Sequence, residues 1–143
     1  MNQNRLIYLP LGGAGEVGMN CYVYGYGPKN NERLIVVDLG VAFPDMDGSP
    51  GVDLILPDIS WLQARKELID AIFITHAHED HVGAIGHVYK KLNVPIYARK
   101  FTANIARKKL EEHNSTTDAL VIIDPWPDQV VVCLLYTSPS PRD

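Results

Sequence analysis

The chain has 143 residues, 46% hydrophobic and 21% charged, which suits one packed domain and excludes wholesale disorder. Thirteen Lys and Arg against seventeen Asp and Glu give a net charge of −4, which excludes a globally basic nucleic-acid binder but not a locally basic face. The two cysteines, Cys21 and Cys133, cannot build a disulfide framework, no apolar run is long enough for a bilayer, and the N-terminus lacks a secretory pattern; a soluble cytoplasmic chain without a membrane partner is expected.

Residues 5–11 read as a strand that ends at Gly12-Gly13. Residues 20–26 alternate Cys21, Val23 and Gly25 against Tyr22, Tyr24 and Tyr26, the period of a second strand. A turn over residues 27–31 leads to a buried strand, 33–38, and the three form an antiparallel meander. Residues 39–58 carry Pro44, Gly48, Pro50, Gly51 and Pro57, a long ordered loop of the kind that carries function. Helical composition follows over 59–68, a short apolar strand over 71–75, a helix over 82–92, a strand over 95–98 and a helix over 102–112. Strands close the chain at 120–123 and 130–132. A meander followed by alternating helices and strands predicts an α/β fold, a mixed sheet with helices outside it.

The strongest chemical signal follows the 71–75 strand, where Thr75-His76-Ala77-His78-Glu79-Asp80-His81 puts three imidazoles and two carboxylates into six positions. Imidazole suits zinc and similar ions, and carboxylates complete or bridge such sites. In an extended stretch His76 and His78 point the same way and can share one ion. Asp80 and His81, where the chain turns into the next helix, can reach a second. Two ions roughly 3.5–4 Å apart clamp the attacking and leaving oxygens of a displacement and generate hydroxide near neutral pH. Hydrolysis is the chemistry indicated, with phosphodiesters a natural substrate. Asp38, expected at a strand end, either caps a turn or holds a ligand histidine by its free N–H.

Gly13-Ala14-Gly15-Glu16-Val17-Gly18 fits the G-x-G-x-x-G dinucleotide pattern, with Asp38 twenty residues further on. The following Met-Asn-Cys-Tyr-Val-Tyr-Gly-Tyr-Gly-Pro cannot form the helix that this pattern requires. No dinucleotide is expected; the glycines read as a turn bringing backbone close to the cleft. His87 and His113 read as surface or packing residues, and Cys21 as a small packing residue in a strand. Residues 90–109 hold seven basic side chains and no acidic one, whereas 32–80 hold ten acidic and three basic. The basic stretch reads first as a solvated helix face, and alternatively as a track for a phosphate backbone.

His76-Ala77-His78-Glu79-Asp80-His81 resembles the H-x-H-x-D-H mark of the metallo-β-lactamase superfamily, shared by lactamases, thioesterases, lactonases and nucleases. Finer features resemble the bacterial ribonuclease J family of β-CASP ribonucleases. They are Leu11-Gly12-Gly13-Ala14-Gly15-Glu16-Val17-Gly18-Met19-Asn20, Val37-Asp38-Leu39-Gly40-Val41-Ala42-Phe43-Pro44, Gly51-Val52-Asp53-Leu54-Ile55-Leu56-Pro57-Asp58, Asn93-Val94-Pro95-Ile96-Tyr97 and Leu110-Glu111-Glu112-His113. The resemblance runs from residue 5 to about residue 132.

The resemblance implies a metallo-β-lactamase αββα four-layer sandwich with a β-CASP domain inserted further along. It implies zinc-dependent 5′-to-3′ exonuclease and endonuclease action on RNA, in mRNA decay and rRNA maturation. By matching positions, His76 and His78 would bind one Zn2+ and Asp80 and His81 the other, with other divalent metals as alternatives. Asp38 would support the site from behind, and Asp80 and His81 would serve catalysis. Hydroxide between the two ions would attack the scissile phosphate. The later histidine, the bridging aspartate, the final histidine and the β-CASP domain have no counterpart here. The expectation is therefore the N-terminal part, residues 1–132, of a longer homo-oligomeric enzyme, inactive by itself. Residues 133–143 do not resemble the family, and one permitted back-translation matches the adapter of transposase-based sequencing libraries, so they are expected to be non-native read-through. The alternatives are another hydrolase of the same fold acting on a thioester or lactone, or a non-catalytic fragment.

Overall fold

The computed structural model describes residues 3–44 and 51–123, and the backbone alone of 131–132 and 135–136. The middle of the expected 39–58 loop, Val130 and most of the 133–143 tail lie outside the described residues.

Three antiparallel strands open the chain: β1 (Asn4–Gly12), β2 (Cys21–Pro28) and β3 (Arg33–Val37). Parallel pairing then adds β4 (Ile69–Phe73), β5 (Ile96–Arg99) and β6 (Leu120–Ile123), so the six strands lie in chain order in one mixed sheet. The expected meander and mixed sheet are both present. A separate antiparallel pair joins β7 (Val131–Val132) to β8 (Leu135–Tyr136). Alternation decides which face is covered. Cys21, Val23, Leu34, Val36, Ile72, Ile96 and Ala98 are buried in the core. The opposite face carries Tyr8 against Tyr22 and Tyr24, and Phe73 stacked on Tyr97 at 5.2 Å. Tyr8 and Tyr24 stay exposed there.

The helices are α1 (Ser60–Gln63), α2 (Glu79–Val82), α3 (Ile85–Leu92) and α4 (Lys100–Glu112). α3 buries Ile85, Val88, Tyr89 and Leu92, the spacing of one helical face, and ends at Asn93 in the left-handed region at φ 53°. α4 buries Thr102, Ala103, Ala106 and Leu110. Among the described residues, no helix is long and apolar enough to cross a membrane.

Three expected boundaries are corrected. The helix expected over 59–68 is only one turn, Ser60–Gln63, followed by a 3-10 turn, Lys66–Leu68. Arg33 donates to the Glu67 carbonyl, and the chain enters β4 at Ile69, opposite Leu34. The strand expected over 71–75 runs instead from Ile69 to Phe73, because the Thr75 amide turns to the Asp38 side chain. The helix expected over 82–92 is preceded by α2 and interrupted at Gly83-Ala84. There the Asp80 carbonyl accepts from the Asn20 amide at 2.9 Å, and the Ala84 amide donates to Leu39 at 2.9 Å instead of continuing the helix.

Candidate metal centre

β3 and β4 are parallel neighbours, with Val37 opposite Phe73. Asp38 and the 75–81 segment therefore leave the sheet side by side at the carboxyl ends of adjacent strands, where open α/β sheets place their ligands. The Asp38 amide still donates to Phe73 at 2.8 Å. Its backbone then turns left-handed at φ 69°, a conformation Asp tolerates better than most residues. That turn aims a 2%-exposed carboxylate into the loop.

The loop is stitched to the strand ends by backbone. Leu39 donates to the His81 carbonyl and Val41 to that of Glu79, at 2.9 and 3.0 Å. Gly40 donates to the Asn20 carbonyl at 3.0 Å. A Cβ on Gly40 would collide with the Asp80 carbonyl oxygen, so glycine is required where these segments cross. The glycine-rich turn closes on the same place, with the Met19 amide donating to Val41 at 2.9 Å. β2 follows that turn, so the helix demanded by a dinucleotide site is replaced by a strand, in agreement with the sequence argument.

The side chains form one connected network. Asp38 Oδ1 accepts from the Thr75 amide at 2.8 Å, and the Thr75 hydroxyl lies 3.0 and 2.9 Å from the two carboxylate oxygens. A carboxylate only accepts, so the single Thr75 hydrogen is directed at Asp38. Thr75 Oγ1 is then the acceptor for His76 Nδ1, 3.0 Å away. His81 Nδ1 donates to Asp38 Oδ2 at 2.6 Å. Both imidazoles thus carry hydrogen on Nδ1 and a lone pair on Nε2, the arrangement of a metal-ligating histidine.

The rings of His76 and His81 lie 3.9 Å apart between centroids, and His78 stands edge-on to His76 at 4.8 Å. Asp80 Oδ2 is 3.4 Å from His81 Nε2. The four expected ligands are therefore neighbours around this turn. Among the described residues, no group of three or more His, Cys, Asp or Glu side chains is arranged so that it could hold a metal ion. The donor chemistry nonetheless suits a borderline divalent ion: two imidazoles held through Nδ1, a third beside them, and a carboxylate.

Asn20, Tyr22, Thr75 and Gly40 belong to this centre, and residue-type patterning assigned none of them a role. Asn20 Nδ2 lies 3.0 Å from the Asp80 carbonyl oxygen and 3.3 Å from both Asp80 Oδ2 and His81 Nε2. Tyr22 donates to Asn20 Oδ1 at 2.9 Å, which fixes the amide orientation. Partial burial, then Tyr8 and Asp38, push the Tyr22 phenol upward, keeping it a donor. The glycine-turn pattern ending at Asn20 was the one available signal. Cys21 lies behind the site in the core; burial, then Asp38, push its thiol up to about 12.

The remaining candidates lie apart. His87 and His113 meet each other across α3 and α4. Of the basic stretch, Lys109 pairs with Glu79 at 2.6 Å, while Lys90, Lys91, Lys100 and Lys108 are exposed on α3 and α4.

Residues 14–135 match the model of the metallo-β-lactamase superfamily. Ribonuclease J of Sinorhizobium meliloti is 46% identical over 128 residues, which are 90% of this chain and 22% of that protein. Ribonuclease J of Corynebacterium glutamicum is 45% identical over 77% of this chain and 15% of its own length. Ribonuclease J2 of Bacillus subtilis is 37% identical over 82% of this chain and 20% of its own. A solved metallo-β-lactamase from Pontibacter korlensis aligns over 91% of this chain and 56% of its own, with a TM-score of 0.42 and 15% identity. The chain spans about a fifth of the length of the curated relatives it matches.

Proposed function

The chain belongs to the metallo-β-lactamase superfamily, and from that premise we propose that it is the N-terminal part, residues 1–132, of a metal-dependent ribonuclease of the ribonuclease J type. The longer protein cleaves RNA phosphodiesters by 5′-to-3′ exonuclease and endonuclease action, with mRNA decay and rRNA maturation as its work and the cytoplasm as its place. The observation that carries this reading is the Asp38 network, which holds His81 through Nδ1 and, by way of Thr75, holds His76 in the same way. Identity of 37–46% to ribonucleases J over most of the chain supports RNA as the substrate.

In this reading His76 and His78 would hold one Zn2+, and Asp80 and His81 the other. Ions bound there would supply Lewis acidity and a water activated near neutral pH. The protein's own residues do the positioning. Asp38 keeps a hydrogen on His81 Nδ1, and Thr75 passes the same constraint to His76. Asn20 steadies Asp80 through its carbonyl and carboxylate. Four ligands divided between two ions leave each with about two, below the three usual for catalytic zinc. The 143-residue chain is therefore inactive alone, and further ligands come from the rest of a homo-oligomeric protein.

The full-length protein, purified and given 5′-monophosphorylated RNA, shows cleavage that chelation abolishes and added divalent metal restores. Hydrolysis of thioester or lactone substrates with no RNA cleavage would replace this reading with the other hydrolase of the fold.

A further inference from the structure

Two imidazoles outside the 76–81 motif meet where α3 and α4 cross. The ring centroids of His87 and His113 are 4.2 Å apart, edge to face at 61°. The helices approach at backbone level here: a Cβ on Gly86 would strike the Lys109 carbonyl oxygen and lie 2.5 Å from His113 Nδ1. Glycine at 86 is what lets His113 lie against α3.

His113 Nδ1 is 3.0 Å from the Lys109 carbonyl oxygen. A carbonyl only accepts, so Nδ1 carries the hydrogen and Nε2 is left with its lone pair. A histidine that ligates through Nε2 has its other nitrogen held in this way. His87, exposed on α3, presents its ring to that of His113. Val88, Tyr89, Ala106 and Leu110 are buried on the two helices, so the pair stands on rigid elements and not on a loop.

We infer that His87 and His113 form a second divalent-metal site, a two-imidazole chelate that clamps α3 to α4. Two neutral imidazoles favour a borderline ion such as Zn2+, Ni2+ or Cu2+, with water completing the shell. Hard cations such as Mg2+ and Ca2+ require oxygen donors, and the nearby Glu79 carboxylate is engaged by Lys109 at 2.6 Å. With metal–nitrogen bonds of about 2.0 Å, two imidazoles on one tetrahedral ion hold their ring centres about 5 Å apart.

The test is calorimetric titration of the metal-free 143-residue chain with Zn2+ alone. His76→Ala with His78→Ala provides the background that weakens the motif. One binding event remains there, and adding His87→Ala or His113→Gln lowers its affinity about tenfold or more. On the unsubstituted chain, substoichiometric Cu2+ broadens the ring-proton resonances of His87 and His113, a readout that needs no variant to fold. Unchanged Zn2+ affinity on removal of either residue, or broadening confined to His76, His78 and His81, overturns the inference. Neither result bears on whether the longer protein cleaves RNA.

Discussion

Asp38 Oδ2 and His81 Nδ1 are joined by a 2.6 Å hydrogen bond that spans 43 residues of sequence. It links a left-handed residue after β3 to the helical turn after β4. The bond sets which nitrogen of His81 carries hydrogen, and so which one is free to bind. Asp38→Asn fits the same left-handed backbone but presents an amide where the carboxylate accepted. Metal affinity of the full-length protein falls about 10–100-fold, measured by competition with a chromogenic chelator. Wild-type affinity in this variant would remove Asp38 from the site.

Thr75→Val keeps the shape of the side chain and deletes the hydroxyl between His76 and Asp38. Thr75 is exposed, so stability changes little. The expected loss is about tenfold in metal affinity, with the His76 ring signals losing a single tautomer by nitrogen-15 NMR. An unaltered tautomer would show that the relay does not act.

Gly40→Ala forces a methyl against the Asp80 carbonyl. Overpacking of this kind costs about 1–3 kcal/mol, and here the obstacle is backbone that cannot step aside. The urea midpoint drops, and metal affinity drops with it because Asp80 shifts.

Glu79→Gln is the contrasting case. Its pairing with Lys109 joins α2 to α4, but the carboxylate side chain is half exposed. The loss is about 0.2–1 kcal/mol and shrinks in high salt. A loss equal to that of Gly40→Ala would mean that the ion pair, not the backbone crossing, holds α2.

Cys21 is the buried thiol whose pKa is pushed up to about 12 from the ordinary 9.0. The unfolded chain ionises its thiol from pH 9.0 upward, and the folded chain does so only near about 12. This contribution to stability is complete below pH 9.0 and is lost progressively across that interval as pH rises. In a Cys133→Ser background the folded chain resists a thiolate-directed reagent at pH 8, and urea restores the reaction. Rapid labelling of the folded chain would show Cys21 to be accessible.

Local pattern carried much of the fold. The alternation in residues 20–26 and the apolar runs at 33–38, 95–98 and 120–123 located strands β2, β3, β5 and β6, because each strand's face pattern is written in consecutive residues. The same signal failed at 82–92. The break at Gly83-Ala84 depends on Asn20 and Leu39, which take part in the hydrogen bonding at Asp80 and Ala84 from far along the chain. It failed at 59–68 because the entry into β4 is decided by pairing with β3.

The sequence by itself determined the chemistry available: His76, His78, Asp80 and His81 at the end of an apolar strand, Asp38 at the end of another, and a glycine turn that no helix follows. Only the tertiary structure decided how those groups are used. Parallel pairing of β3 with β4 brought Asp38 to His81 and Thr75, and closed the Asn20 turn over Asp80. It also brought His87 to His113 through the crossing of α3 and α4. These are contacts between residues tens of positions apart, and periodicity along a chain carries no record of which distant segments will lie side by side.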